Sequence, residues 1–342
     1  MTALIRHTAT IDKAVFVLSA DTELGWGSFD RGGLRRNRDY YLQERDIVRK
    51  LLGLLDSREI KGTWAIVGHL FLGSCSRNGP DNHNHVLQPA YSWHPDGWLS
   101  HDPFSDAGEA PLFYAPDIVD SIIASPQAHE IASHSFTHAI LGDPECSREV
   151  AYSQLRECKR LAENLGIEMV SMVFPRNSVG HLDVLSELGF CSFRGQELSW
   201  YRTIGSKGRI RKLCHYLDRL IAVTPPCYRV LDCYRLGTQG EWLFNLPASM
   251  FYAPFGGLWN LVGLSRRVLQ AKKGIMEAVR KKALFHLWFH PFNLATSPLL
   301  LEGLDEVLGF VARQVKAGNI DSLTMGETAR HMNRLLETYT KG

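Results

Sequence analysis

Two hydrophobic periods alternate along the chain: short β-rich apolar runs and longer stretches with a helical stripe. Ala14–Ala20 (AVFVLSA) predicts a strand that ends in polar residues. Across Tyr40–Arg58, residues Ile47, Val48, Leu51, Leu52 and Leu55 share one helical face, with Glu44, Arg45, Arg49 and Lys50 assigned to the outside. Gly62–Gly68 (GTWAIVG) predicts a second buried strand. Ser74–Pro111, rich in Pro, His, Asn, Asp and Trp, carries neither period. A loop of that length inside a compact domain usually has a function.

Alternation then resumes. Helices are predicted over Asp117–Ala124, Arg148–Leu165, Leu264–Lys282, Leu299–Lys316 and Glu327–Thr338. Strands are predicted at Glu130–Ser133, Val170–Phe174, Phe190–Phe193, Trp242–Leu246, Leu284–Phe289 and Ser322–Thr324. Repeated strand–helix units favour a parallel sheet with helices outside, and one elaborated α/β barrel rather than two domains. The expected organisation is a single domain over 1–342, with the loop insertion around 74–111 and an elaborated region around 195–265.

Composition narrows the function classes. The 342 residues carry 38 Lys+Arg against 36 Asp+Glu, a formal charge of +2, so the electrostatic footprint of a nucleic-acid binder is missing. No stretch reaches the ~18–20 apolar residues of a membrane span, and Met1–Lys13 lacks the apolar core of a secretory signal. The 7 cysteines form no CxxC pair, which fits reduced, buried thiols. The expected compartment is the cytoplasm.

In parallel barrels, catalytic groups gather at the carboxyl ends of strands. Three predicted strand ends here carry such groups. In Ser19-Ala20-Asp21-Thr22-Glu23, the two carboxylates lie on one face if the strand continues. They form either an ordinary acidic turn or a pair that a cation or proton must separate. In His134-Ser135-Phe136-Thr137-His138, the four-residue spacing places both imidazoles on one side of a helical turn, an arrangement suited to zinc. In Leu284–Pro291 (LFHLWFHP), His290 stands where the strand leaves the barrel, and His286 is assigned to the interior. One carboxylate and two imidazoles would hold a divalent metal, with Asp21 left to take a proton from water and His290 to protonate a leaving group.

These residues resemble the polysaccharide deacetylases, the NodB-homology or carbohydrate esterase family 4 group. His134-Ser135-Phe136-Thr137-His138 matches the family's H-[ST]-x-x-H metal motif, with Glu130-Ile131 before it. Ser19–Glu23 looks like a variant of T-F-D-D-G in which the acid pair is spread to D-x-E, and Thr63–Gly68 is similar to the family's second strand. The resemblance implies a distorted (β/α) barrel of about seven parallel strands and N-deacetylation of acetylated amino sugars in a glycan or a saccharide precursor. It also implies Asp21 as base, His290 as acid, and Glu23, His134 and His138 as ligands of the metal, Zn2+. Phe174-Pro175-Arg176-Asn177 inverts the family's R-x-P order, with Arg176 expected to reach Asp21 and a backbone N–H near Asn177 to stabilise the oxyanion. Gly195–Trp200 keeps the fourth motif's Trp200 but lacks its Asp; Glu197 is the substitute considered.

Trp26, Trp93, Trp98, His101, Asp102 and Tyr114 either contact sugar or anchor the long loop to the body. His83-Asn84-His85 resembles an H-x-H metal motif, but no strand precedes it, and it reads as loop. The basic set Arg266, Arg267, Lys272, Lys273, Arg280, Lys281 and Lys282 is either a solvated helix face or a contact with an anionic membrane surface or lipid-linked substrate. Two other functions compete. A glycosidase would use Asp21 and Glu23 and leave the two histidines unexplained. A catalytically inactive glycan-binding protein would keep the site without turnover.

Overall fold

The computed structural model describes residues 3–198, 214, 217–218, 220–237, 241–256 and 260–341. Trp200 lies outside them, as do other parts of the region around 195–265. Among the described residues one 11-stranded sheet organises the chain. Its strands are β1 Leu4–Thr10, β2 Val15–Thr22, β3 Thr63–Ile66, β4 Glu130–Ser133, β5 Ser171–Val173, β6 Ser192–Arg194, β7 Val230–Leu236, β8 Leu243–Asn245, β9 Met250–Phe251, β10 Leu284–Phe289 and β11 Asp321–Ser322. The order is β1-β7-β8-β6-β5-β4-β3-β2-β10-β9, with β11 on β2. From β8 to β9 every pairing is parallel. Only the two pairings made by β7, with β8 and with β1, are antiparallel, and they extend one edge.

The short segment Leu246–Ser249 links the two ends of the parallel run. Leu246 and Ala248 donate backbone N–H bonds to Phe193 and Gly195 beside β6, and Ser249 donates to His286 on β10. Helices Arg38–Ser57, Pro116–Ile123, Arg148–Asn164, Leu182–Glu187, Leu264–Lys281 and Pro298–Lys316 separate successive strands.

The period of two divides each strand between two cores. On β2, Phe16, Leu18 and Ala20 pack under the helices, whereas Val15 and Val17 join the inner cluster with Ala65, Ala132, Val173 and Phe244. Ser19 and Asp21 continue that inner face toward the strand end. On β10 the inner positions are Leu284, His286 and Trp288, with His290 just past the strand, and on β6 Arg194 points inward toward Asp21.

The helix Arg38–Ser57 corrects one expectation. Glu44, assigned to the outside, is fully buried, because it falls on the 3-4-3-4 stripe of Tyr41, Val48, Leu51 and Leu55. The basic helix also differs from a solvated face. Arg267 is buried with its guanidinium on the carbonyls of Ala253 and Pro254, and Lys272, Lys273, Arg280 and Lys281 pair with Glu306, the Ala222 carbonyl and Glu277. No helix among the described residues is long and apolar enough to cross a membrane.

Candidate active site

Register alone assembles most of the site. Phe289 pairs with Ala20, so the next residues, His290 and Asp21, leave the sheet side by side. Thr22, Ile66 and Ser133 are aligned across β2, β3 and β4, which sets Glu23 and His134 at one level. The loop after β4 then brings His138 back to them. Ser135 and His138 both adopt left-handed backbone conformations, with φ of 57° each, so the two imidazoles converge through a strained turn rather than along a helical one. That turn is fixed from outside: Gly68 and His69 donate to the carbonyls of Ser135 and Phe136, and the Thr137 N–H donates to Gln154.

Glu23 Oε1 is the focus. It lies 3.3 Å from His134 Nε2, 3.7 Å from His138 Nε2 and 3.0 Å from His290 Nε2. Glu23, His134 and His138 are all buried. A Cβ on Gly27 would overlap the Glu23 carboxylate, so the glycine makes room for it. His134 Nδ1 lies 2.7 Å from the Val173 carbonyl, which fixes its proton outward and turns Nε2 toward the centre, as in metal-ligating imidazoles. Neither ring nitrogen of His138 has a hydrogen-bond partner, although the ring is buried. An orphaned buried imidazole beside a second imidazole and a carboxylate fits a divalent cation, with zinc the usual choice for such donors.

Charge follows the same geometry. Burial pushes the Glu23 carboxyl up, but His290, His138 and His134 outweigh it and hold the group well below the usual carboxylate range. Burial pushes His138 down, keeping it neutral as a ligand must be. The His290 side chain is 20% exposed; burial opposes its charge, but Glu23 and Asp21 win and raise its pKa. The Asn293 amide lies 3.3 Å from His290 Nδ1, and Trp288 and Phe292 pack against the ring.

Asp21 is held by Arg194, not by Arg176. Two parallel bonds of 2.6 Å join the fully buried guanidinium to both carboxylate oxygens. Arg194 also donates to Ser19 Oγ and Asn177 Oδ1 and lies over Trp288. Arg176, with a φ of 57° at the turn after β5, instead pairs with the buried side chain of Asp30. The inward phase of Phe190–Phe193, extended by one residue, is the signal that would have found Arg194.

The expected sugar contacts need correcting as well. Trp26 is buried, donates to the Phe113 carbonyl and packs on His69. Trp98 is buried and donates to the Thr137 carbonyl. Both indoles anchor the long loop. Asp102 is buried against His69 and His83. The Asn177 N–H is donated to Phe174 and is not a free oxyanion donor; its side chain serves Arg194. Trp93 is the member of the aromatic set that remains 43% exposed, stacked with Tyr91 and beneath Arg176.

No family model matches the chain, and no curated protein matches it. Solved structures do. A Mycobacterium smegmatis protein assigned as a polysaccharide deacetylase aligns with a TM-score of 0.60 at 15% identity, covering 96% of each chain. A Pseudomonas aeruginosa PAO1 protein assigned to the same activity aligns at 0.57 and 11%, covering 94% of this chain and 91% of that one. PuuE allantoinase aligns at 0.55 and 12%, with coverage of 94% and 91%. The fold is the NodB-type deacetylase barrel that the motifs imply.

Proposed function

We propose that the protein is a metal-dependent hydrolase that removes the N-acetyl group from an acetylated amino sugar of a glycan or glycan precursor. The observation that carries this reading is the convergence of Glu23, His134 and His138 on one point, with Asp21 and His290 beside it. Such a trio would hold Zn2+, which supplies Lewis acidity toward the carbonyl oxygen and a more acidic water.

Asp21, oriented by Arg194, takes a proton from the attacking water; each oxygen keeps a lone-pair site beyond its guanidinium bond. The water oxygen bonds to the acetyl carbon, and the C–N bond then breaks. His290 delivers a proton to the departing amine, so acetate and a free amino sugar leave. Its ring, 4.0 Å from Asp21 and packed on Trp288 and Phe292, is positioned to carry that proton. We also place the enzyme in the cytoplasm, in keeping with seven free thiols. A second reading, hydrolysis of a smaller amide, is favoured by the burial of Trp26 and Trp98, which removes two expected sugar platforms.

Acetate release from a panel of acetylated amino sugars, with small amides alongside, tests both readings. Asp21→Asn and His290→Ala are expected to lower kcat by roughly 10²–10⁴ each while retaining metal. His134→Ala is expected to lose it. Wild-type turnover in both of the first two variants would overturn the assignment, and activity that survives a chelator would favour a glycosidase.

A further inference from the structure

A second group of metal-type donors lies apart from the site above, in the long loop. His69 is carried by the 3-10 turn Gly68–Phe71 after β3; Cys75, His83 and Asp102 come from the segment that has no strand or helix of its own. All four are buried, none more than 5% exposed. Asp102 Oδ2 lies 2.9 Å from His83 Nε2 and 3.3 Å from His69 Nε2. Cys75 Sγ lies 3.6 Å from His69 Nε2 and 3.6 and 3.9 Å from the two Asp102 oxygens. Zinc bond lengths at tetrahedral angles demand edges of ~3.3–3.5 Å between nitrogen and oxygen donors and ~3.6 Å to sulfur. The His69–Asp102, Cys75–His69 and nearer Cys75–Asp102 separations meet those figures, whereas His83 and Asp102, at 2.9 Å, stand at hydrogen-bond distance and would part by a few tenths of an ångström around an ion.

Hydrogen bonding alone does not account for the group. His69 Nδ1 faces the Phe113 carbonyl at 3.0 Å and must carry a proton there. Its Nε2 then meets Asp102 and Cys75 either as a lone pair against a carboxylate or as a buried imidazolium. Nor is this a nucleophile relay. A Cys–His–Asp relay needs thiol and carboxylate on opposite ring nitrogens, and here both converge on Nε2. The four ligand atoms all lie within 4.8 Å of one another, while the outer shell is complete around His69, Asp102 and Cys75. The Phe104 N–H donates to Asp102 Oδ1, and the Tyr114 hydroxyl, which accepts from the Ser105 N–H, lies 3.1 Å from Cys75 Sγ.

We propose that His69, Cys75, His83 and Asp102 form a closed structural zinc site that fastens the 74–111 loop to the end of β3. Zn2+ with one thiolate and one carboxylate is neutral overall, as a buried centre should be, and the thiolate selects against magnesium and calcium. On binding, the thiol proton is released to solvent. His83, read from sequence as part of a loop motif, becomes a ligand because the loop folds back across nineteen residues to Asp102. Phe136 packs against both His69 and His83, and it stands between His134 and His138 in sequence. The zinc therefore braces the turn that presents the other two histidines. This site stands whether or not the protein deacetylates a sugar.

The test is elemental analysis and cobalt replacement of the full-length protein. Wild type is expected to bind two equivalents of zinc. His134→Ala is expected to keep one, as are Cys75→Ser and His83→Ala. The Co2+ protein should show a thiolate-to-cobalt charge-transfer band in wild type and in His134→Ala, and none in Cys75→Ser. One equivalent that carries the band supports this site and counts against the active-site metal. A wild-type cobalt protein without the band, or a Cys75→Ser variant that retains both equivalents, overturns the proposal. Because the band is read on wild type, the result does not depend on any variant folding.

Discussion

A fully buried guanidinium persists where its charge is matched and its donors are used. Arg194 meets that condition through its two terminal nitrogens, which bond Asp21, Ser19 and Asn177 while Nε has no partner, and the planar fork that fits a carboxylate cannot be reproduced by an ammonium. Arg194→Met should therefore destabilise the fold by about 3–5 kcal/mol, because it strands a buried carboxylate. Arg194→Lys should fold yet lose roughly 10²-fold or more in kcat with little change in KM. Arg176→Ala should spare kcat by comparison; equal losses in both would mean that the two arginines share the task. Glu44 is the opposite case, a buried carboxyl without a partner, pushed well above its usual range by burial and then by Glu23. Its proton is held more tightly in the folded chain than in the unfolded one. Stability should then fall as pH rises from the ordinary carboxyl range toward the raised folded value. In chelator-treated protein, Glu44→Gln should flatten that decline and be the more stable form at pH 8; parallel urea midpoints at pH 5 and pH 8 would contradict this. At this scale the sequence was partly readable. His134 and His138 advertise themselves by spacing, whereas Arg194 and Glu44 look like surface charges until the phase of their own element is followed.

Elements were the most legible level where both faces are buried. β4 and β10 have the predicted bounds, because their apolar runs are bounded by polar or turn residues. β1 was missed because its side chains are mostly exposed; its register with β7 is carried by backbone bonds and by Arg6 paired with Asp232. The spacing of His134 and His138 predicts a helical turn, but the structure builds one on two left-handed residues, which spacing alone cannot distinguish. Glycines give a sharper test of element-level reading. Gly27 exists to admit the Glu23 carboxylate, so Gly27→Ala should displace that ligand and weaken metal binding by about tenfold or more while the fold survives. Gly53, exposed within Arg38–Ser57 with open space around it, has no such duty, and Gly53→Ala should stabilise by about 0.5–1 kcal/mol. Unchanged zinc affinity in the first variant would mean that Glu23 is not a ligand.

Across the whole molecule, alternating strands and helices already implied a parallel barrel, but not how the long loop is held. That information lies in contacts between residues far apart in sequence, such as Trp98 with Thr137 and His83 with Asp102, which no local period encodes. The two candidate centres differ in one property that decides their behaviour. The first has the 20% exposed side chain of His290 beside it as a path to solvent, whereas the second consists of buried residues, three of them from the loop it fastens. Ligand exchange at an open centre needs no unfolding, but exchange at an enclosed one needs the loop to lift. Chelation should therefore run in two phases. The fast phase should remove one equivalent and all activity with little change in Tm, and added zinc should restore the activity. The slow phase should remove the second equivalent, lower Tm and expose Cys75 to a thiol reagent. Its rate should rise with low concentrations of urea, whereas the fast phase should not respond. Metal loss in a single phase, with activity and Tm falling together, would mean that one centre does both jobs and that the loop is held by packing alone.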